Sequence, residues 1–283
     1  MPPDSVSHYY DSNTRRFLLM GSGRGAHSIH RELWGPGVGS AREAAGHIDR
    51  MVADEVARLV PGPSPLILDF GCGVGGTLFH LAERFRGARL HGITVSRRQV
   101  EIAERLARKL GHADRCTFSL GDFQTAELDL RADVIVAVES FTHCDSADAF
   151  FASAASHLRE GGRLILADDF LASPWDSLDA RQRLRVQELR TGWRVPAICT
   201  RESLVEAAGA RGLGVERTVD LTAHTRPGSR VRDRLVAALS PLLARLGLGR
   251  FPFYGNTIGG NALQIGLREG FLRYELLVLR RPG

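Results

Sequence analysis

Residues 66–77 constrain the fold of this chain more than any other stretch. The segment begins as a short apolar run of strand length, and Asp69 follows it before a glycine-rich turn. A helical pattern begins at Thr77. Glycines let the backbone approach a ligand closely, and the start of a helix offers free N–H groups. The segment therefore predicts a nucleotide-type ligand at a strand–turn–helix junction. The turn contains Gly71, Gly73, Gly75 and Gly76.

The same alternation of strand and helix patterns continues along the chain. Alternating strands and helices indicate a parallel sheet that is covered on both faces. We therefore predict an α/β fold with a Rossmann-like, seven-stranded, mostly parallel sheet and helices on both faces. The predicted strands lie at about 66–70, 88–95, 115–120, 133–138, 163–167, 213–221 and 273–280. The predicted helices lie at about 40–60, 76–85, 97–110, 147–158 and 200–210.

Three segments do not fit this alternation. Residues 1–40 are rich in aromatic, His and Arg side chains, which favours a lid over a site; the alternative is an arm packed on the main domain. We predict a lid and helix over 1–60 and the main domain over 61–283. Cap insertions are predicted at about 174–195 and 225–262, and the second is expected to contain a turn-rich loop at 254–261. In the first of these, Leu178, Leu184 and Leu189 are expected to face inward.

Composition excludes several function classes. The 283 residues carry a formal net charge of +5, and the arginines are interleaved with acidic residues rather than gathered in a basic run. We therefore expect a small-molecule substrate and no nucleic-acid partner. The four cysteines lack the spacing of a metal knuckle, so no metal ligands are predicted and reduced thiols indicate a cytoplasmic protein. The sequence leaves a homo-oligomer open.

Neither a membrane span nor an export signal is predicted. No apolar run approaches the length that crosses a bilayer. The segment 14–20 has an arginine pair followed by apolar residues, like a twin-arginine signal, but a glycine-rich stretch follows where a long apolar region is needed.

The position of Asp69 helps to distinguish two kinds of ligand. A dinucleotide site has an acidic residue at the end of the second strand, where it binds the ribose hydroxyls. Here the acid precedes the glycines, and a carboxylate there suits a ligand with a positively charged end. Gly-x-Gly spacing alone leaves both possibilities open.

Three motifs together resemble those of the class I S-adenosylmethionine-dependent methyltransferases. Residues 68–76 look like the first motif of that family. Residues 121–123 are similar to its adenine-contacting step, and residues 158–164 resemble its turn into the fifth strand. The resemblance covers roughly residues 60–170 and implies S-adenosyl-L-methionine as the methyl donor.

The second strand resembles one branch of this family. Residues 92–99 look like the branch with cyclopropane fatty acid synthases and the tocopherol and sterol C-methyltransferases. That likeness implies that Gln99 serves the cofactor; the alternative is an exposed helix residue. It also implies an N-terminal tyrosine over the cofactor, with Tyr10 preferred to Tyr9. The predicted cofactor-binding residues are Tyr10, Asp69, Gly71, Cys72, Gly73, Gly75, Thr94, Val95, Ser96, Gln99, Gly121, Asp122 and Phe123.

The step after the fourth strand is similar to a Glu-Ser-x-x-His step of the sterol and related C-methyltransferases. Ligands bind at the carboxyl ends of strands in such sheets, so Glu139 and His143 are the predicted catalytic residues. A carboxylate there would stabilise a carbocation and His143 would take or relay a proton. The alternatives are a backbone-bonding role for Glu139 and a surface position for His143.

Aromatic and basic side chains are the candidates for acceptor binding. The aromatic ones would form an apolar pocket, although each alone could be a core residue. A basic cluster in residues 13–31 could bind a diphosphate, with Mg²⁺ if the acceptor is one, or could be a solvated face. The predicted substrate-binding residues are Asn13, Arg16, His30, Trp34, Phe141, Trp193 and Tyr254.

These observations favour C-methylation of a terpenoid or prenyl-type alkene, including a prenyl diphosphate. The alternative is an N- or O-methyltransferase of natural-product (antibiotic) biosynthesis. A non-catalytic cofactor-binding subunit would show decay of the motifs, and the sequence shows none.

Overall fold

Seven strands form one sheet in the order β3-β2-β1-β4-β5-β7-β6. The computed structural model describes residues 30–59, 62–196, 198–226, 228–231, 233, 235–236, 238–239 and 252–283, with 252 and 253 as backbone only. The first five strands pair in parallel, and β7 runs antiparallel between β5 and β6. The strands are β1 Leu66–Phe70, β2 Arg89–Thr94, β3 Cys116–Leu120, β4 Ala132–Val138, β5 Leu158–Leu171, β6 Gly214–Asp220 and β7 Leu272–Arg280. The mostly parallel, seven-stranded sheet predicted from the sequence is confirmed.

Helices cover both faces of this sheet. They are α1 Ala41–Ala45, α2 His47–Leu59, α3 Gly76–Arg84, α4 Arg97–Leu110, α5 Ala147–His157, α6 Ala180–Trp193, α7 Arg201–Ala210 and α8 Pro252–Glu269. Short 3₁₀ turns occupy Phe141–His143, Trp175–Ser177 and Thr222–His224. Further helical positions occur between 230 and 239. No described helix combines the length and the apolar character needed to span a bilayer.

The core has two halves, one on each face of the sheet. Along β4, Val134 and Val136 belong to one apolar cluster, while Ile135 and Ala137 belong to the other. Successive residues of a strand point to opposite faces, so a continuously apolar strand contributes to both halves. This explains why β4 reads as an unbroken apolar run in the sequence.

The prediction of a turn-rich loop at 254–261 is wrong, because these residues lie in α8. The glycines of α8 do not form a turn; they allow this helix to pack closely against α6. A Cβ added at Gly259 would lie 2.6 Å from Cδ1 of Trp193, and one added at Gly192 would lie 2.4 Å from the carbonyl oxygen of Gly255. Glycine weakens an isolated helix, but here it lets two helix backbones approach each other.

The segment 174–195 contains a 3₁₀ turn and α6. Leu178 and Leu189 are buried as expected, but Leu184 is exposed, so the inward orientation predicted for Leu184 is wrong. In the part of the predicted lid that is described, Leu33 is fully buried in the core, and Ser40 caps α1.

Candidate active site

The glycine loop between β1 and α3 has the backbone that the sequence predicts. Gly71, Gly73 and Gly75 all have positive φ, at 82°, 55° and 90°. A Cβ at Gly71 would lie 2.5 Å from Cβ of Ser140, so the loop approaches the end of β4 closely. A Cβ at Gly73 would meet no atom of the described residues within 4 Å. The helix begins after Gly75 without a side-chain cap, which leaves its first N–H groups for a ligand.

Asp69 lies at the end of β1, directly before this loop. Its side chain is buried, and none of the residues that the structure describes forms a hydrogen bond with its carboxyl group. Burial, and then the charge of Asp49, raise the pKa of Asp69 to about 8. Because no described residue forms a hydrogen bond with this buried carboxyl, a partner would stabilise it, and an ammonium group would satisfy it. The residues present therefore fit the amino-acid end of S-adenosylmethionine.

The end of β2 is organised by hydrogen bonds among three predicted cofactor residues. Thr94 Oγ1 donates to Gln99 Oε1 over 2.6 Å, and Ser96 Oγ accepts from Gln99 N over 3.2 Å as the N-cap of α4. All three residues are buried. The alternative of an exposed Gln99 is therefore wrong. Val95 is partly exposed between them.

The remaining predicted cofactor residues surround the same corner. Phe123 stacks on Phe70 with ring centroids 5.3 Å apart, and its Cε1 would lie 3.7 Å from a Cβ at Gly71. Asp122 accepts from the backbone N–H of Gln124 over 2.9 Å, directly after Gly121. Burial raises the pKa of the Cys72 thiol well above its usual value, so this cysteine is not a nucleophile.

Glu139 follows β4 with a strained backbone. It is one of two non-glycine residues with positive φ in the described chain, at 52°, and such strain is common at functional sites. Its Oε1 accepts from Arg31 Nε over 2.9 Å, from Arg31 N over 3.3 Å and from the Tyr274 hydroxyl over 3.1 Å. Burial would raise the pKa of Glu139, but the charges of Arg31 and His30 hold it below its usual value. Glu139 is therefore ionised at neutral pH.

Arg31 also binds Asp169 and packs on Tyr274. Its Nη1 donates to Asp169 Oδ1 over 2.9 Å and its Nη2 donates to Oδ2. The guanidinium lies 4.0 Å from the centroid of the Tyr274 ring, a cation–π contact. Tyr274 pairs with Asp169 across β5 and β7. Arg31 therefore joins the ends of β4, β5 and β7, and its guanidinium is committed to two carboxylates.

His143 ends the 3₁₀ turn that follows Glu139. Its Nδ1 lies 3.3 Å from the carbonyl oxygen of Arg194, which can only accept, so Nδ1 carries the proton and Nε2 carries the lone pair. Burial lowers the pKa of His143, although the Arg194 carbonyl and Glu139 oppose it. His143 is therefore neutral at physiological pH and has the protonation state of a general base.

A second carboxyl supports the turn that carries His143. Asp168 accepts from the backbone N–H of Thr142 over 3.0 Å and from its hydroxyl over 3.1 Å. Burial, and then the charge of Asp169, raise the pKa of Asp168 to about 7. Asp168 therefore fixes the backbone between Glu139 and His143.

The predicted acceptor-binding residues are not all placed as expected. Phe141 is fully buried and its ring packs against Phe150 at 5.1 Å, so it is a core residue and the prediction for it is wrong. Trp193 donates its Nε1–H to the Asn256 carbonyl over 3.1 Å, which holds it against α8. Tyr254 is partly exposed in the first turn of that helix.

Two residues that precede α1 have partners that the sequence did not indicate. Trp34 lies under Arg226, whose Cζ is 4.0 Å from the ring centroid. His30 Nε2 lies 2.9 Å from Thr77 Oγ1, beside the glycine loop. Tyr10, Asn13 and Arg16 lie outside the described residues. Within the described part of the chain, no group of three His, Cys, Asp or Glu side chains could hold a metal ion.

Sequence reasoning did not assign a site role to Tyr274, Asp168 or Asp169. The acidic pair follows an apolar strand, and the rule that ligands bind at the carboxyl ends of strands could have indicated it. Arg31 appeared only as a member of a basic cluster. No local pattern identifies Tyr274, because its role depends on the antiparallel pairing of β7 with β5.

Comparison with known proteins places these features in a family context. A family model described as a methyltransferase domain matches residues 68–164. An O-methyltransferase of Pyrenophora dematioidea is 31% identical over 82% of this chain and 81% of its own length. The methyltransferase GfsG of Streptomyces halstedii is 31% identical over 86% of this chain and 83% of its own length.

A solved structure also has the same fold. A geranyl diphosphate methyltransferase in complex with geranyl diphosphate and sinefungin superposes with a TM-score of 0.75. The comparison covers 99% of this chain and 98% of that one, at 20% sequence identity. At that identity the likeness is one of fold.

Proposed function

The chain belongs to the S-adenosylmethionine-dependent methyltransferases, and from this premise we propose that it methylates a hydroxyl group of a small hydrophobic natural product. His143 is the proposed general base. S-adenosylmethionine supplies an electrophilic methyl group when bound, so the protein has to align the acceptor and remove its proton. The resident groups that would hold the cofactor are the glycine loop, Asp69 and the polar residues at the end of β2.

The protonation state of His143 is the observation that carries this proposal. A hydroxyl group becomes a good nucleophile only as its proton leaves, and a neutral imidazole can take that proton. The Arg194 carbonyl selects the tautomer with the lone pair on Nε2, and burial keeps the pKa of His143 low. His143 can therefore act as the base at neutral pH without first losing a proton of its own.

The hydrogen bonds of Glu139 argue against the role in stabilising a carbocation that the sequence suggested for it. A carboxylate that stabilises a carbocation should present its charge to the acceptor. Here Arg31 lies 2.9 Å from Oε1 and offsets much of that charge. Under the present proposal Glu139 orients the site and stabilises the imidazolium that forms on His143, whose pKa its charge raises.

The relatives give independent support to a hydroxyl acceptor. One of the two relatives named above is an O-methyltransferase. The acceptor is proposed to be a small molecule because the site lies at the strand ends of a compact α/β sheet. We keep as proposals that no nucleic acid takes part and that the enzyme works in the cytoplasm.

C-methylation of a terpenoid or prenyl-type alkene is the second candidate, and one observation favours it. All three hydrogen bonds that described residues donate to the Glu139 carboxylate go to Oε1, and none of them goes to Oε2. That oxygen could face a carbocation and accept its proton. A diphosphate acceptor has less support, because the guanidinium of Arg31 is already committed to Glu139 and Asp169.

The decisive experiment identifies the methylated atom and the base together. The enzyme is incubated with S-adenosylmethionine carrying a deuterated methyl group and a panel of hydroxylated polyketides, phenols and prenyl alkenes, and products are analysed by mass spectrometry and NMR. We expect label on oxygen, and a loss of about 10²- to 10⁴-fold in kcat for His143→Gln. Label on carbon, with a larger loss for Glu139→Gln than for His143→Gln, would establish the second candidate instead.

A further inference from the structure

A buried acid from outside the glycine loop lies against the start of α3. Asp49 belongs to α2 and is only 3% exposed. Its Oδ1 accepts from Thr77 Oγ1 over 2.8 Å, and Thr77 is the second residue of α3. His30 Nε2 lies 2.9 Å from the same threonine oxygen and 3.8 Å from Asp49 Oδ1. Three segments that are distant in sequence thus meet at the point where the glycine loop becomes a helix.

The neighbourhood contains more acidic than basic groups. Asp69 is also 3% exposed, and no hydrogen bond reaches its carboxyl group from the residues that are described. Across the same residues, neither acid has an arginine or lysine partner; His30 is the single basic contact of Asp49. The charge of Asp49 is one cause of the raised pKa of Asp69, so the two carboxyls are near enough to interact. Among the described residues the two buried acids therefore share no strong cation, and such a pair gains from a positively charged partner.

A positively charged ligand would supply that partner. The amino-acid end of S-adenosylmethionine carries an ammonium group, and the glycine loop is the part of the fold where that end fits. The adenosine end, by contrast, is expected at the ends of β2 and β3, beyond this acidic pair. The acids therefore favour one end of the cofactor over the other.

We propose that Asp49 is a positioning residue for the ammonium group of the cofactor's amino-acid end, and that it acts through Thr77 and together with Asp69. The aspartate adds negative potential behind the loop, and its hydrogen bond fixes the Thr77 side chain in the first turn of α3. His30 holds the other side of the Thr77 hydroxyl and so belongs to this cofactor-end cluster. The proposal rests on cofactor use alone and is independent of the methylated atom.

The test compares two ligands that differ only in that end. S-adenosylhomocysteine contains the amino-acid portion and 5′-methylthioadenosine lacks it, and isothermal titration calorimetry measures both affinities without any acceptor. We expect Asp49→Asn to weaken S-adenosylhomocysteine about tenfold or more, the size of one charge-assisted contact. The affinity for methylthioadenosine should stay the same.

Two further variants make the result specific. Asp54→Asn is the matched control, because Asp54 lies on the same helix but is exposed and pairs with Arg84 at 2.6 Å; neither affinity should change. Thr77→Val keeps the size of the side chain and removes the hydroxyl, so it should reproduce the selective loss. It also serves as the second test if Asp49→Asn does not fold.

The outcomes separate this proposal from a structural role. An equal loss for both ligands in Asp49→Asn, or no loss for either, would overturn it, since a damaged fold would weaken both. An equal loss for both ligands, or no loss for either, would also count against the proposal in Thr77→Val. A failure of O-methylation would leave these affinities unaffected, so the two proposals can fail separately.

Discussion

Arg31 Nε donates to Glu139 Oε1 over 2.9 Å and so joins two residues that are 108 positions apart in the chain. The contact connects the segment before α1 to the end of β4, where the acceptor is expected. With Asp169 and Tyr274 it forms a buried network with one cation and two carboxylates. The stability and the chemistry of the site therefore depend on the same side chain.

Replacing Arg31 with Gln should destabilise the protein strongly. The change leaves Glu139 and Asp169 without their cation in a site where little solvent can replace it, which costs about 3 kcal/mol or more. Urea unfolding measures the loss of free energy. Arg84→Gln is the control, since its pair with Asp54 is exposed and should contribute less than about 1 kcal/mol. Similar losses in both variants would contradict this account.

Asp69 should make the ligand-free protein less stable as pH rises. Its pKa is about 8 in the folded protein against an ordinary value of 3.8, so the folded state binds the proton more tightly than the unfolded state. The resulting stability is present at low pH and is lost as pH rises towards 8. In Asp69→Asn the fall in Tm between pH 5 and pH 8.5 should be smaller than in the wild type. Parallel curves would show that Asp69 titrates normally.

Cofactor binding should release a proton from the same carboxyl. An ammonium group beside Asp69 favours its ionised form, so S-adenosylhomocysteine binding at pH 7 should be accompanied by proton release. Calorimetry in two buffers with different ionisation enthalpies detects this release. It should be smaller in Asp69→Asn, and proton uptake in the wild type would be inconsistent with the proposed role.

The pH dependence of turnover should identify His143 as the base. Because burial lowers the pKa of His143 from 6.5, kcat/KM should hold at pH 6.5 and fall only at lower pH. His143→Gln should remove this acidic limb along with most of the activity. His91→Gln is a matched control, because burial also lowers the pKa of His91. The His91 ring forms a hydrogen bond with Thr117, which links β2 to β3, so this variant should keep the acidic limb. An acidic limb centred above 6.5 would argue against His143.

Gly71→Ala should abolish cofactor binding, whereas Gly111→Ala should not. Both glycines have positive φ, so each substitution carries a backbone cost of about 1 kcal/mol. At Gly71 the new Cβ would lie 2.5 Å from Cβ of Ser140, whereas at Gly111 it would meet no atom within 4 Å in the part of the chain that the structure describes. Titration with S-adenosylhomocysteine measures the difference. Retained affinity in Gly71→Ala would mean that the loop has freedom that the structure does not indicate.

The parts of the site that the sequence predicted are those encoded by local patterns. The strand, glycine turn and helix at 66–77 are contiguous, and the ends of β2 and β4 come directly after recognisable apolar strands. Glu139 and His143 could therefore be selected without knowledge of the fold. Ser96, the N-cap of α4, is likewise placed by a local signal, because its side chain bonds the backbone N–H three residues later.

The errors arose where a distant partner decides the outcome. Phe141 looked like a pocket residue, but α5 packs Phe150 and Phe151 against it. Tyr254 looked like part of a loop because three glycines lie near it, and only the approach of Gly192 and Trp193 explains them as helix-contact residues. The pairing of Arg31 with Asp169 depends on the whole sheet order, which a one-dimensional pattern does not contain.

The order of the last two strands has a consequence for biosynthesis. β6 is synthesised before β7, yet β7 is its neighbour in the sheet and separates it from β5. On the ribosome β6 therefore remains without its pairing partner until residues 272–280 have emerged. Tyr274, which bonds Glu139, arrives in the same step. A nascent chain would contain the complete glycine loop well before Tyr274 can reach Glu139, so the two parts of the candidate site mature at different times.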